Sequence, residues 1–150
     1  TEMKEIKVGT GRKLKDGQEI AILSFGHPGN FAAAAIRDVK ADGINPAHYD
    51  MRFAKPLDES LLHEVFKKYK KIITVEDGTV VGGFGSAILE FMSANHYSAT
   101  VKMLGIPDHI VEHGSLKELH RECHYDAAAI AETLREMMKD SVSVTSSLLQ

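Results

Sequence analysis

Two adjacent carboxylates, Glu76 and Asp77, end the apolar run Lys71-Ile72-Ile73-Thr74-Val75, and the glycine-dense turn Gly82-Gly83-Phe84-Gly85-Ser86 follows shortly after. Carboxylates at a strand end are a common source of general acid–base groups. A glycine-rich turn that opens a helix aims backbone N–H groups at an anion. Each feature has a structural reading beside the chemical one. Neighbours on a strand point to opposite faces, so Glu76 and Asp77 cannot form a facing pair unless the chain turns between them. Glu76 then serves as acceptor for loop N–H groups, and Asp77 starts an Asp77-Gly78 turn. Gly82, Gly83 and Gly85 lack the lysine and Ser/Thr pair of a phosphate loop and the order of a dinucleotide fingerprint, so close backbone approach within the domain or across a subunit contact competes with anion binding.

Among the eight histidines, His120 and His124 with Cys123 suggest a metal site. Their spacing is poor for one, and no glutamate completes a hydrolytic motif, which favours a polar helix end with a semi-buried thiol. His27 and His113 lie in glycine-containing loops after strands and could line a crevice or be solvated. Arg52 and Lys55 could hold a phosphate or carboxylate, or pair with Asp50, Asp58 or Glu76.

These residues need elements to place them. Lys13 to Gly17 reads as a short polar edge strand ending in an Asp-Gly turn, and Glu19 to Phe25 as a buried strand. The alanine-rich stretch Phe31 to Lys40 reads as a helix stopped at Asp42-Gly43. His48 to Phe53 forms the next strand, and Asp58 caps a helix with Leu61, Leu62, Val65, Phe66 and Tyr69 on one face. Lys71 to Glu76 is a strand, followed by a helix from about Gly83 to Ser93, then the strand Thr100 to Leu104. Ser115 with Glu118 has the spacing of a capping box. Asp126 caps a last helix, Ala127 to Lys139. Strands alternating with helices imply parallel pairing through right-handed crossovers, hence a three-layer α/β/α sandwich. Residues 141–150 carry no helical period and are expected to fray, leaving residues 1–140 as one domain.

The 150 residues suit a single domain. Eighteen basic against 21 acidic residues leave a net charge of −3, which argues against a nucleic-acid footprint or a polybasic membrane anchor. The single cysteine cannot form an internal disulfide, and a reducing, cytoplasmic compartment is expected. A chain that starts at Thr1 with a run into an edge strand reads as a piece of a longer protein.

Several separated motifs lie in one order: Asp50-Met51-Arg52-Phe53-Ala54-Lys55-Pro56-Leu57-Asp58, then Thr74 to Ala87, then Leu104-Gly105-Ile106-Pro107-Asp108 and Glu112-His113-Gly114. Over roughly residues 5 to 139 the chain resembles the C-terminal domain of transketolase-like thiamine enzymes, above all the 1-deoxy-D-xylulose-5-phosphate synthase family. The resemblance implies five strands in the order 1-3-2-4-5, the first antiparallel. It also implies a cytoplasmic, homodimeric parent that uses thiamine diphosphate and Mg²⁺ to condense pyruvate with glyceraldehyde 3-phosphate. The diphosphate- and Mg²⁺-binding stretch of those enzymes, opening with Gly-Asp-Gly and closing with Asn, has no counterpart here. No catalytic, cofactor-binding or metal-binding residue is therefore carried over. Glu76, Asp77, Gly82, Gly83, Gly85, Arg52 and His27 are left as candidates for an interface or crevice, with the remaining domains as partners. A transketolase, a 2-oxo-acid dehydrogenase β subunit and an independent module for anionic metabolites are the competing readings.

Overall fold

Side-chain alternation along the central strands sets the layers. The computed structural model describes residues 5–109, 111 and 114–147, with side chains through residue 139. The strands are β1 (Arg12–Lys15), β2 (Ile20–Phe25), β3 (Ala47–Asp50), β4 (Lys71–Thr79) and β5 (Thr100–Ile106). The helices are α1 (Gly29–Asp38), α2 (Glu59–Lys68), α3 (Phe84–Ala94), α4 (Leu116–Glu122) and α5 (Ala127–Ser147), with a 3₁₀ turn at Val39–Asp42 that continues α1. Successive residues of a strand face opposite sides. Accordingly Ile20 and Ile22 of β2, with Ile73 and Val75 of β4, pack under Ala32, Ala35 and Ile36 of α1 and Ile130 and Leu134 of α5. Ala21, Leu23 and Ile72 pack on the other side against Leu62, Val65 and Phe66 of α2 and Phe84, Ile88 and Phe91 of α3. Ala32 and Ala35 have no bulk to hold α1 off the sheet, which suits them to its buried face.

The sheet order is β1-β3-β2-β4-β5, parallel except for the antiparallel β1–β3 pair, as the resemblance implied. The connection leaving β2 returns to β3 on one side, and the next crosses to β4 on the other. The carboxyl ends of β2 and β4 therefore flank the switch point, where open α/β sheets form their crevices.

Local signals held at most boundaries. Asp58 caps α2 by accepting from the Leu61 N–H at 3.0 Å. Its second oxygen takes the Gly11 N–H at 2.9 Å, fixing the entry into β1. Ser115 and Glu118 form the capping box of α4, Asp126 accepts from the Ala129 N–H at 2.9 Å, and Gly43 turns the chain out of the 3₁₀ segment with φ +75°. Three element ends differ by three residues or more. Strand β3 ends at Asp50 because Arg52 adopts φ +58°, which breaks the extended run. Strand β4 continues through Asp77-Gly78 to Thr79, so Asp77 does not start a turn; a register irregularity against β5 between Val75 and Thr79 absorbs the change of direction instead. Helix α5 runs to Ser147, beyond the Lys139 end expected from sequence, since 140–147 contain no glycine or proline to stop it. Among the described residues, no helix is long and apolar enough to cross a membrane.

His48 of β3 is buried, with Nε2 2.9 Å from Ser24 Oγ. Burial pushes its imidazole below the ordinary value, with nearby Asp50 pulling weakly the other way. The folded state therefore binds this proton less readily than the unfolded chain. Its stabilising contribution is complete above about pH 6.5 and is lost as the pH falls toward the depressed value, with a slope of at most about 1.4 kcal/mol per pH unit. Urea denaturation from pH 7.5 to 5.5 should show this loss, and His48→Gln should flatten it. An unchanged slope in the variant would remove His48 as its source.

Candidate functional site at the switch point

Strand parity sends the two carboxylates apart. Glu76 follows Ile72 and Thr74 to the α3 side and is buried; Asp77 leaves on the opposite side and is exposed. Glu76 Oε1 accepts the Phe84 N–H at 2.9 Å, and Oε2 accepts the Gly85 N–H at 2.7 Å. Phe84 and Gly85 are the first residues of α3, whose own cap residue, Gly83, offers no side-chain acceptor. A carboxylate from β4 thus does what an N-cap side chain does elsewhere, with the favourable end of the helix dipole added. The Glu76 side chain is the anion that this helix start holds, which favours close backbone approach over ligand binding at Gly82 to Ser86.

The glycines follow from this carboxylate. A Cβ on Gly83 would sit 2.1 Å from the Thr79 carbonyl oxygen and 2.2 Å from Glu76 Oε1. Its φ of −89° is open to any residue, so space alone dictates glycine there. At Gly85 a Cβ would come within 2.7 Å of Thr74 Oγ1. Gly82 is the reverse case: its φ is +72° and a Cβ there would meet nothing within 4 Å, so only backbone conformation calls for glycine. Ser86 ties the turn by accepting the Gly82 N–H at 3.0 Å and donating to the Val80 carbonyl at 2.7 Å. The Phe84 ring stacks on Phe25 at 5.3 Å between centroids, joining this turn to the end of β2.

Asp77 faces a different neighbourhood. Its Oδ1 accepts the Tyr125 hydroxyl at 2.7 Å. Tyr125 titrates well above its ordinary value, through burial first and this hydrogen bond second, and so stays a donor. Burial also raises the Cys123 thiol, with Glu122 and Asp77 adding to it, which makes it a poor nucleophile. Asp77, Cys123, His120 and Tyr125 line a cavity of about 230 Å³. His120 also borders a second hollow of about 590 Å³ with His27, Phe31 and Asp126. His27 is exposed and meets Phe31 edge to face at 5.1 Å, while its ring centre lies 6.4 Å from that of His120. Among the described residues, no group of three or more His, Cys, Asp or Glu side chains could hold a metal ion.

Arg52 lies 3.7 Å from Asp50 Oδ2, which Arg12 also approaches at 3.0 Å, so the ion-pair reading of Arg52 holds. Lys55 has no carboxylate partner among the described residues, because Asp58 and Glu76 both serve backbone N–H groups. Glu112 and His113 lie outside the described residues. Sequence reasoning did not find Tyr125 as the partner of Asp77: the two are 48 residues apart, and no local pattern links them.

Two substitutions test this arrangement. Gly83→Ala should destabilise the protein by on the order of 3 kcal/mol, through the clash and the displaced Glu76 oxygen, whereas Gly82→Ala should cost only about 1–2 kcal/mol of backbone strain. Paired thermal melts compare them, and equal losses would refute the close-approach account. Glu76→Gln keeps the shape but sets an amide NH₂ against one of two helix N–H groups, so it should cost about 1–3 kcal/mol. A melt identical to that of the parent would show that the carboxylate contributes nothing as a cap.

Comparison with known proteins agrees with this geometry. The family model described as transketolase, C-terminal domain, matches residues 9–130. The 1-deoxy-D-xylulose-5-phosphate synthase of Cytophaga hutchinsonii is 57% identical over 137 residues, covering 91% of this chain and 22% of its own length. That of Parabacteroides distasonis is 52% identical over 135 residues, with 90% and 21% covered, and that of Brevibacillus brevis is 41% identical over 144 residues, with 95% and 23% covered. A solved structure described as a split gene transketolase, inactive beta4 tetramer, superposes with a TM-score of 0.82 at 27% identity, over 89% of this chain and 43% of that one. The chain thus spans little more than a fifth of the length of these synthases. With the fold and the matched residues in agreement, it belongs to the transketolase C-terminal domain family.

Proposed function

We propose that this chain is the C-terminal domain of a 1-deoxy-D-xylulose-5-phosphate synthase, a thiamine diphosphate-dependent transferase that condenses pyruvate with glyceraldehyde 3-phosphate for isoprenoid and thiamine synthesis. In this reading the domain supports structure and subunit assembly in a cytoplasmic homodimer. The cofactor, its Mg²⁺ and the catalytic groups belong to the remaining domains. The observation that carries the proposal is the occupied start of α3: the turn best shaped for an anion is filled by Glu76. Burial likewise raises both the Tyr125 hydroxyl and the Cys123 thiol in the adjoining cavity, which disfavours a thiolate nucleophile there. The same occupancy counts against an independent module for anionic metabolites at that turn. Identity of up to 57% to synthases, against 27% to the transketolase chain, favours a synthase parent over a transketolase.

The glycine turn, Val81 and the Arg52 loop all project from the carboxyl edge, and Val81 exposes an apolar side chain there, as a contact surface requires. Calorimetric titration of the 150-residue chain with thiamine diphosphate and Mg²⁺ tests the reading. Cooperative unfolding with no saturable heat of binding is the expected result. A micromolar isotherm would overturn it.

A further inference from the structure

On the α1 side of the sheet, away from the switch point, β1 and β3 meet α1 and its 3₁₀ extension around a concave groove of about 680 Å³. That volume lies within the range of small-molecule sites, about 300–1,000 Å³. Leu14, Ala33, Ile36 and Ile44 supply an apolar lining, and buried His48, beside Ile22 in register, forms part of the floor. One wall is fixed: Lys15 Nζ bonds the Asn45 side chain and the carbonyls of Asp16 and Pro46, tying the loop before β3 to β1.

The charges around the groove are sorted by sign. The carboxylates of this helical segment, Asp38 and Asp42, are drawn to Arg135 of α5, at 3.2 and 2.8 Å. Arg37 and Lys40, on the same segment, line the groove, are exposed, and have no ion-pair partner among the described residues. With Lys15 they place three cations around an apolar hollow whose lining contains no carboxylate.

We propose that this groove binds a small organic anion with an apolar body, such as a medium-chain carboxylate, its chain against Leu14, Ile36 and Ile44 and its charge between Arg37 and Lys40. An apolar body gains from the lining, and an anion gains from two cations that no internal carboxylate neutralises. A cationic amphiphile would be repelled. The site is independent of the thiamine reading, since none of its residues belongs to the carboxyl-edge cluster.

Titration of the ¹⁵N-labelled chain with octanoate, octan-1-ol and octylammonium, followed by amide NMR shifts, tests it. Octanoate should give saturable shifts at Gly43, Ile44, Asn45 and His48, with octan-1-ol about tenfold weaker and octylammonium weaker still. Arg37→Gln combined with Lys40→Gln should remove the preference for octanoate over octan-1-ol. Both positions are exposed, so the amide spectrum and melting temperature of the variant should match the parent; Arg37→Gln alone, expected to halve the preference in logarithmic terms, serves if the double variant fails to fold. Equal affinity for acid and alcohol, shifts centred elsewhere, or no saturation with octanoate would each overturn the proposal.

Discussion

One buried carboxylate organises the carboxyl edge of this domain. Glu76 carries its charge into the sheet–helix interface and finds two backbone N–H groups of α3 at 2.9 and 2.7 Å. A charge so placed is tolerable only when its oxygens are satisfied and when positive potential lies close by, and a helix start provides both. From that requirement follow the close approach at Gly83 and Gly85, the tied turn at Ser86 and the stacking of Phe84 on Phe25. The position of α3, and with it half of one helical layer, depends on this contact.

The same interaction decides what the edge can do. An unoccupied glycine-rich helix start attracts phosphate, but at this one two of the first N–H groups already bind a carboxylate from within. The opposite face of β4 follows a parallel logic, because Asp77 is engaged by the high-titrating Tyr125 hydroxyl. Both carboxylates that looked capable of chemistry are engaged as hydrogen-bond acceptors.

Much of this was written in local pattern. Alternation of buried strands with amphipathic helices dictated the α/β sandwich, and the Asp58, Ser115 and Asp126 caps marked helix starts because short polar side chains satisfy free N–H groups wherever a helix begins. The period of two along a strand was enough to separate Glu76 from Asp77. The order of motifs pointed to the family and, through it, to the sheet order. Strand and helix ends were less legible. Asp77-Gly78 has turn chemistry, yet pairing with β5 draws it into the strand, and the positive φ of Arg52 has no signal in its residue type.

What the sequence determined alone was therefore whatever depends on neighbours in the chain: element type, capping, the facing of side chains and the likeness to a family. Tertiary structure decided the pairings that span long separations. It chose the backbone N–H groups for Glu76, brought Tyr125 to Asp77, and turned Asp38 and Asp42 toward Arg135 so that Arg37 and Lys40 face a groove. These are competitions among several chemically equivalent partners, and only the packing of helices on a twisted sheet fixes which donor and acceptor come within about 3 Å of each other.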